Sequence, residues 1–166
     1  LVLEGLQELV IGLGYGGAFL AGFLGSSSLF IAVFPSFVVV PLLATVLNPV
    51  GVGVLAGVGA GVGQFLHYYV GLGGRYLLSE DRRQTLERWR ARLDRYGVVL
   101  IFLFAATPLT PDDILWIPLG MMRYPRLKAL IAAIAGKVVL NLFYAYAGFF
   151  GWGVVEEWLR SIGLRF

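Results

Sequence analysis

Between Gly12 and Arg75 the chain carries no Lys, Arg, Asp or Glu. A stretch of that length without a charge cannot form the surface of a protein in water. The composition agrees: 58% of the 166 residues are hydrophobic and 14% charged, against roughly 45–50% apolar and ~25% charged in soluble domains. The chain is read as an integral membrane protein, a single domain over residues 1–166. It has no cysteine and one histidine, His67, which leaves no thiolate nucleophile, disulfide or multi-histidine metal centre. No metal, cofactor or enzymatic activity is expected. No basic n-region or small-residue cleavage site stands at the start, so no signal peptide is read.

A spanning helix needs about 20 apolar residues. Val50–Leu72 and Arg126–Gly148 are predominantly apolar and each 23 residues long, or about 34 Å of helix. The other two apolar stretches, Tyr15–Asn48 and Tyr96–Met122, are interrupted by Pro35 and Pro41 and by Pro108, Pro111 and Pro118. Proline inside a helix removes a donor and clashes with the preceding turn, so these five are the expected breaks. Gly97–Thr107 and Ile114–Met122 contain eleven and nine residues, about 17 and 14 Å of helix. Neither crosses a bilayer, and a re-entrant hairpin is the economical solution. The first stretch admits a hairpin or one full span, Tyr15–Phe34, with a short return.

A shift of 77 residues superposes Pro41 on Pro118, Gly59 on Gly136, Gln64 on Asn141, Tyr69 on Tyr146 and Gly71 on Gly148. Each unit, 15–72 and 96–148, is then a hairpin followed by one span, and a single crossing per unit inverts the second relative to the first. The expected fold is all-α, an inverted-topology repeat of re-entrant hairpin plus transmembrane helix. Seven of the 13 basic residues lie in Arg75–Arg95, and Arg123, Arg126 and Lys128 follow. Their excess places residues 75–95 in the cytoplasm and both termini outside. Charge of this placement marks topology rather than nucleic-acid binding.

Three amphipathic segments complete the reading. Leu1–Leu13 and residues 151–165 are expected to lie along the outer surface, and 79–95 to float on the cytoplasmic leaflet. In the last, Ser79 is the expected N-cap, Glu80 and Asp81 occupy the first turn, and Leu86, Trp89 and Leu93 form an apolar stripe among arginines. Gly53, Gly57 and Gly61, with Gly59 and Gly63, give the first span two small-residue faces suited to close helix contact.

Asp112 and Asp113 follow Pro111 near the turn of the second hairpin. Ionisable groups inside a bilayer are costly and mark functional sites, although Asp112 also suits an N-cap. Lys137 lies halfway along the second span, with Asn141 one turn on. The nearest counter-charge in that repeat is the aspartate pair, so an Asp–Lys contact is expected. Gln64 and His67 complete a polar pathway between the repeats. Arg123, Arg126 and Lys128 mark the cytoplasmic interface and are candidates to receive a lipid phosphate.

The pattern resembles the DedA family, the group carrying the VTT (SNARE-associated Golgi protein) domain. The resemblance rests on Phe34-Pro35 with Pro41 and Asn48-Pro49, on Tyr68-Tyr69-Val70-Gly71, on Tyr96-Gly97 with Phe102-Leu103-Phe104, Pro108 and Pro111, and on Gly120-Met121-Met122-Arg123-Tyr124-Pro125 and Gly136. It implies two opposed re-entrant hairpins and movement of lipids between leaflets. Two departures stand out. No acid lies between Ser26 and Val40, where bacterial members typically carry one, and Ala105 stands where they place an arginine. Asp112 and Asp113 are therefore nominated from their position and cost alone, and the chain resembles a divergent prokaryotic branch of the family, which implies a prokaryotic plasma membrane. The expected function is a scramblase- or flippase-like transporter of phospholipid or polyprenyl phosphate. Its expected partners are phosphate-bearing lipids, with protons and a second copy of the chain as further candidates. A proton- or cation-coupled solute exporter and a non-transport membrane scaffold remain the alternatives.

Overall fold

The computed structural model describes residues 2–27, 36–107 and 113–161, with side chains described except at 2–11, 113, 114, 152 and 155–161. The described residues form helices and connecting turns. They are α1 (Val2–Ser27), α2 (Ser36–Ala44), α3 (Pro49–Gly74), a single 3-10 turn (Arg75–Leu77), α4 (Glu80–Ala106), α5 (Asp113–Met121) and α6 (Arg126–Ser161). Two stretches, Pro49–Leu77 and Arg126–Gly151, are long and apolar enough to cross a membrane. They contain the two expected spans.

α3 begins where the sequence supplies both a cap and a stop. Asn48 Oδ1 accepts from the amides of Val50 and Gly51 at 2.9 and 3.3 Å, and Pro49 occupies the first turn, where a missing N–H costs nothing. From there α3 runs antiparallel to α6 as a glycine ladder. A Cβ on Gly53, Gly57 or Gly61 would stand 2.8, 2.4 or 2.6 Å from Leu142, Val138 or Ile134. Residues four apart on one helix thus meet residues four apart on the other, backbone against backbone. The second small-residue face of α3 receives α1: a Cβ on Gly59 or Gly63 would reach the carbonyl oxygens of Phe19 and Phe23 at 2.1 and 2.4 Å.

α1 bends at Gly14, whose φ of 53° and ψ of −129° suit glycine alone. The bend falls at the expected boundary between Leu1–Leu13 and the segment opening at Tyr15. After it, α1 runs parallel to α3, from the Tyr15 ring against Gly51 to the Ser27 carbonyl, which meets His67 Nε2 at 3.0 Å. Residues 28–35, and with them Pro35 and the choice between a hairpin and a Tyr15–Phe34 span, lie outside the described residues, as do Pro108 and Pro111.

Three expectations are corrected. Pro41 and Pro118 do not break helices: each lies inside a nine-residue helix, α2 or α5. A proline there forfeits one backbone bond, and a covering helix makes that tolerable. α6 supplies the cover for α2, Gly148 lying so close that an added Cβ would be 2.4 Å from the Pro41 carbonyl oxygen; α3 covers α5, with Gly71 placed the same way 2.1 Å from that of Ile117. The basic segment 79–95 is not a separate element, since α4 continues from Glu80 to Ala106. Nothing at Arg95-Tyr96-Gly97 interrupts a helix as proline would. Likewise α6 passes from the expected span into the C-terminal segment as one helix of 36 residues. Ser79 occupies the N-cap position of α4, but its side chain makes no capping bond.

Two apolar clusters hold the ends of the α3–α6 pair. At the Asn48 end, Val40, Leu43 and Ala44 of α2 pack with Ala18, Val52, Ala56 and Ala145. At the Arg75 end, Trp116 and Leu119 of α5 pack with Tyr68, Ile101, Met122, Tyr124 and Ala129. Trp116 is 2% exposed; truncating such a side chain costs about 3–5 kcal/mol.

Candidate functional site

Four polar side chains are buried in the α3–α6 pair, Lys137 and Asn141 in the middle of the second span and Gln64 and His67 toward the Arg75 end of α3, at 9, 1, 0 and 2% exposure. In an apolar pair of helices such groups are retained only where they find partners or serve a purpose. His67 Nε2 meets the Ser27 carbonyl at the described end of α1, an acceptor, so in this contact Nε2–H donates to Ser27 O. Asn141 Nδ2 donates to the Lys137 carbonyl at 2.8 Å. Its Oδ1 is buried with no hydrogen-bond partner among the described residues. Gly136, the neighbour of Lys137, faces the end of α4: a Cβ there would stand 2.6 Å from the Phe102 carbonyl oxygen and 2.7 Å from the Ala105 methyl. Lys137 is thereby held at the level where α4 stops. Asp112 and the side chain of Asp113 lie outside the described residues, and so does the expected Asp–Lys contact.

The second group of candidates gathers at the Arg75 end. Arg123 is the one described non-glycine residue with positive φ, 52°. It occupies the left-handed position after α5: its amide bonds Gly120 O and that of Tyr124 bonds Leu119 O, both at 3.0 Å. This is a Schellman ending, with Tyr124 and Leu119 making the apolar contact that accompanies it. Arg126 and Lys128 follow in the first turn of α6, which has no acidic residue, and all three cations are exposed.

Residues outside the expected set organise this end. Tyr68 donates its hydroxyl to Tyr124 O at 2.7 Å. Arg75 donates to Met121 O and to Glu87, both at 2.7 Å, tying the end of α3 to α5 and α4. The sequence signals both only faintly, Tyr68 within the Tyr68-Tyr69-Val70-Gly71 motif and Arg75 as the charge that ends the apolar run. Among the described residues no group of three His, Cys, Asp or Glu side chains could hold a metal.

The comparisons bear on the whole arrangement. The family model described as the VTT domain matches residues 34–150. No curated protein and no solved structure matches the chain.

Proposed function

The chain belongs to the VTT domain family, a family of membrane proteins, and we propose that it is a transporter moving phosphate-bearing lipids between leaflets through a polar crevice. In this reading α1 with α2, and α4 with α5, are re-entrant hairpins entering from opposite faces. α3 and α6 are the spans, and residues 75–95 are cytoplasmic. Asp112, Asp113, Lys137, Asn141, Gln64 and His67 line the crevice, while Arg123, Arg126 and Lys128 receive the head group.

The observation that carries the reading is an exchange of contacts. Gly71 and Gly148, 77 residues apart, each receive the short proline-bearing helix of the other unit, α5 at Ile117 and α2 at Pro41. Gly59 and Gly136, again 77 apart, each receive the longer helix of their own unit, at Phe19 and Phe102. Two units packed by one rule and running in opposite directions are what an inverted repeat requires. Tyr15 and Pro41 also meet the same end of the α3–α6 pair, while Gly97 and Ile117 meet the other. Such returns support arms that enter and leave by one face. Buried polar groups inside both spans favour transport over a scaffold.

The test is reconstitution of the full chain into liposomes carrying fluorescent phospholipid or polyprenyl phosphate. Leaflet exchange above that of empty vesicles is expected, with at least a tenfold loss in Lys137→Met. No acceleration for either lipid refutes the reading.

A further inference from the structure

The basic half of α4 carries six arginines, Arg82, Arg83, Arg88, Arg90, Arg92 and Arg95. Arg82, Arg88, Arg92 and Arg95 are exposed. Arg83 is engaged with Tyr76 O and Glu80. Arg90 differs from these. It follows Leu86 by four residues and precedes Leu93 by three, and both leucines pack against the cluster of Tyr68, Trp116 and Tyr124. Residues at that spacing share a helix face, so Arg90 is directed at the protein body and is half-buried.

What it faces is the turn between α5 and α6. Tyr68 is hydrogen-bonded to Tyr124 O, Arg123 and Arg126 flank Tyr124 in the chain, and Leu86 and Leu93 bring the Arg90 face against the cluster that holds both tyrosines. Asp94, one turn beyond Arg90, is the carboxylate whose field reaches Tyr124. It forms none of the ion pairs found among the described residues, and neither do Arg90, Arg123 or Arg126. Three like charges are thus gathered from three elements without a paired acid. One of them is held at a positive φ that a side chain resists. Another lies in the first turn of α6, where the helix dipole disfavours a cation. A bound anion relieves the repulsion and the dipole cost together.

We propose that Arg90, Arg123 and Arg126 form one binding site for a phosphate group, with Arg90 the member that fixes its position. Guanidinium forks bind phosphate oxygens in pairs, and three forks from three elements enclose a tetrahedral group more completely than two. This narrows the head-group set of the transport reading: Lys128 is left out of the phosphate site, because two helical residues turn it about 200° from Arg126. The proposal rests on the lipid-transport reading only in placing this end at a membrane surface. The chemistry itself fits a lipid head group or free phosphate.

The experiment is calorimetric titration of the purified full chain with short-chain phosphatidic acid and, separately, with inorganic phosphate. Arg90→Gln is expected to weaken phosphatidic acid binding at least tenfold, and Arg90→Lys, which keeps the charge and loses the fork, by an intermediate factor. Arg92→Gln removes the same charge from the exposed face and is expected to change binding less than twofold. Competition by inorganic phosphate that depends on Arg90 identifies free phosphate as the ligand, and binding of phosphatidic acid alone identifies the head group. Equal losses in Arg90→Gln and Arg92→Gln, or no binding of either probe to the unsubstituted chain, overturns the site. If the unsubstituted chain binds phosphatidic acid through Arg90 yet exchanges no lipid, the site stands and the transport reading fails. Unchanged binding beside normal transport fails the site alone.

Discussion

The Tyr68 hydroxyl of α3 and the Tyr124 carbonyl, 56 residues apart, are joined by a buried hydrogen bond of 2.7 Å. It fastens the turn between α5 and α6 to the end of the first span, above Trp116 and Leu119. The two tyrosines have opposite hydrogen-bonding positions, because the Tyr124 hydroxyl is buried with no partner among the described residues.

Tyr68→Phe leaves a buried carbonyl unsatisfied and should cost about 1–3 kcal/mol. Tyr124→Phe removes an unpartnered hydroxyl and should be neutral or slightly stabilising. Thermal melts of the two variants in one detergent give the comparison.

A pH dependence follows at the same residue. Burial first, and the Asp94 carboxylate second, push the Tyr124 phenol above its ordinary 10.0. The folded chain then holds a proton that the unfolded chain releases. This stability is fully present below about pH 10 and is lost as pH rises through the folded value. Alkaline melts should show a shallower loss above that pH in Tyr124→Phe than in the unsubstituted chain.

The glycine ladder should tolerate no methyl group. At Gly57 and Gly59 an added Cβ meets backbone at 2.4 and 2.1 Å, while at Gly73 nothing lies within 4 Å. Gly57→Ala and Gly59→Ala should each lose about 1–3 kcal/mol by forcing helices apart. Gly73→Ala should keep the original melting temperature, and a loss equal to the other two would show that helix approach is not the cause.

Arg123→Gly separates stability from binding. Relief of the positive φ should stabilise the fold by up to about 1 kcal/mol, raising the melting temperature. The same variant loses a guanidinium from the phosphate site and should exchange lipid more slowly. A lower melting temperature would contradict the first half.

Several of these features can be read directly from the residues. Asn48-Pro49 marks the start of α3, the length of the apolar runs marks both spans, and the small-residue series Gly53, Gly57, Gly61 and Gly59, Gly63 marks two faces of close helix contact. Pro41 and Pro118 mislead because proline is read against a free helix, whereas α6 and α3 cover them. The continuity of α4 through Tyr96-Gly97 was hidden by the change from polar to apolar composition, which alters environment without breaking a helix. Arg90 was invisible for a different reason: among six arginines in one helix, only the packing of Leu86 and Leu93 distinguishes the one that faces inward.

The absence of cysteine makes each introduced thiol unique, so arm placement can be read by labelling with a membrane-impermeant maleimide from either side of oriented vesicles. The residues are Leu13, Val46, Tyr96 and Leu127, exposed at 47, 58, 61 and 69%. Leu13→Cys and Val46→Cys should react from one side alone, and Tyr96→Cys and Leu127→Cys from the opposite side alone. If Leu13→Cys and Val46→Cys react from different sides, the first pair of helices crosses the bilayer and the opposed hairpins do not exist.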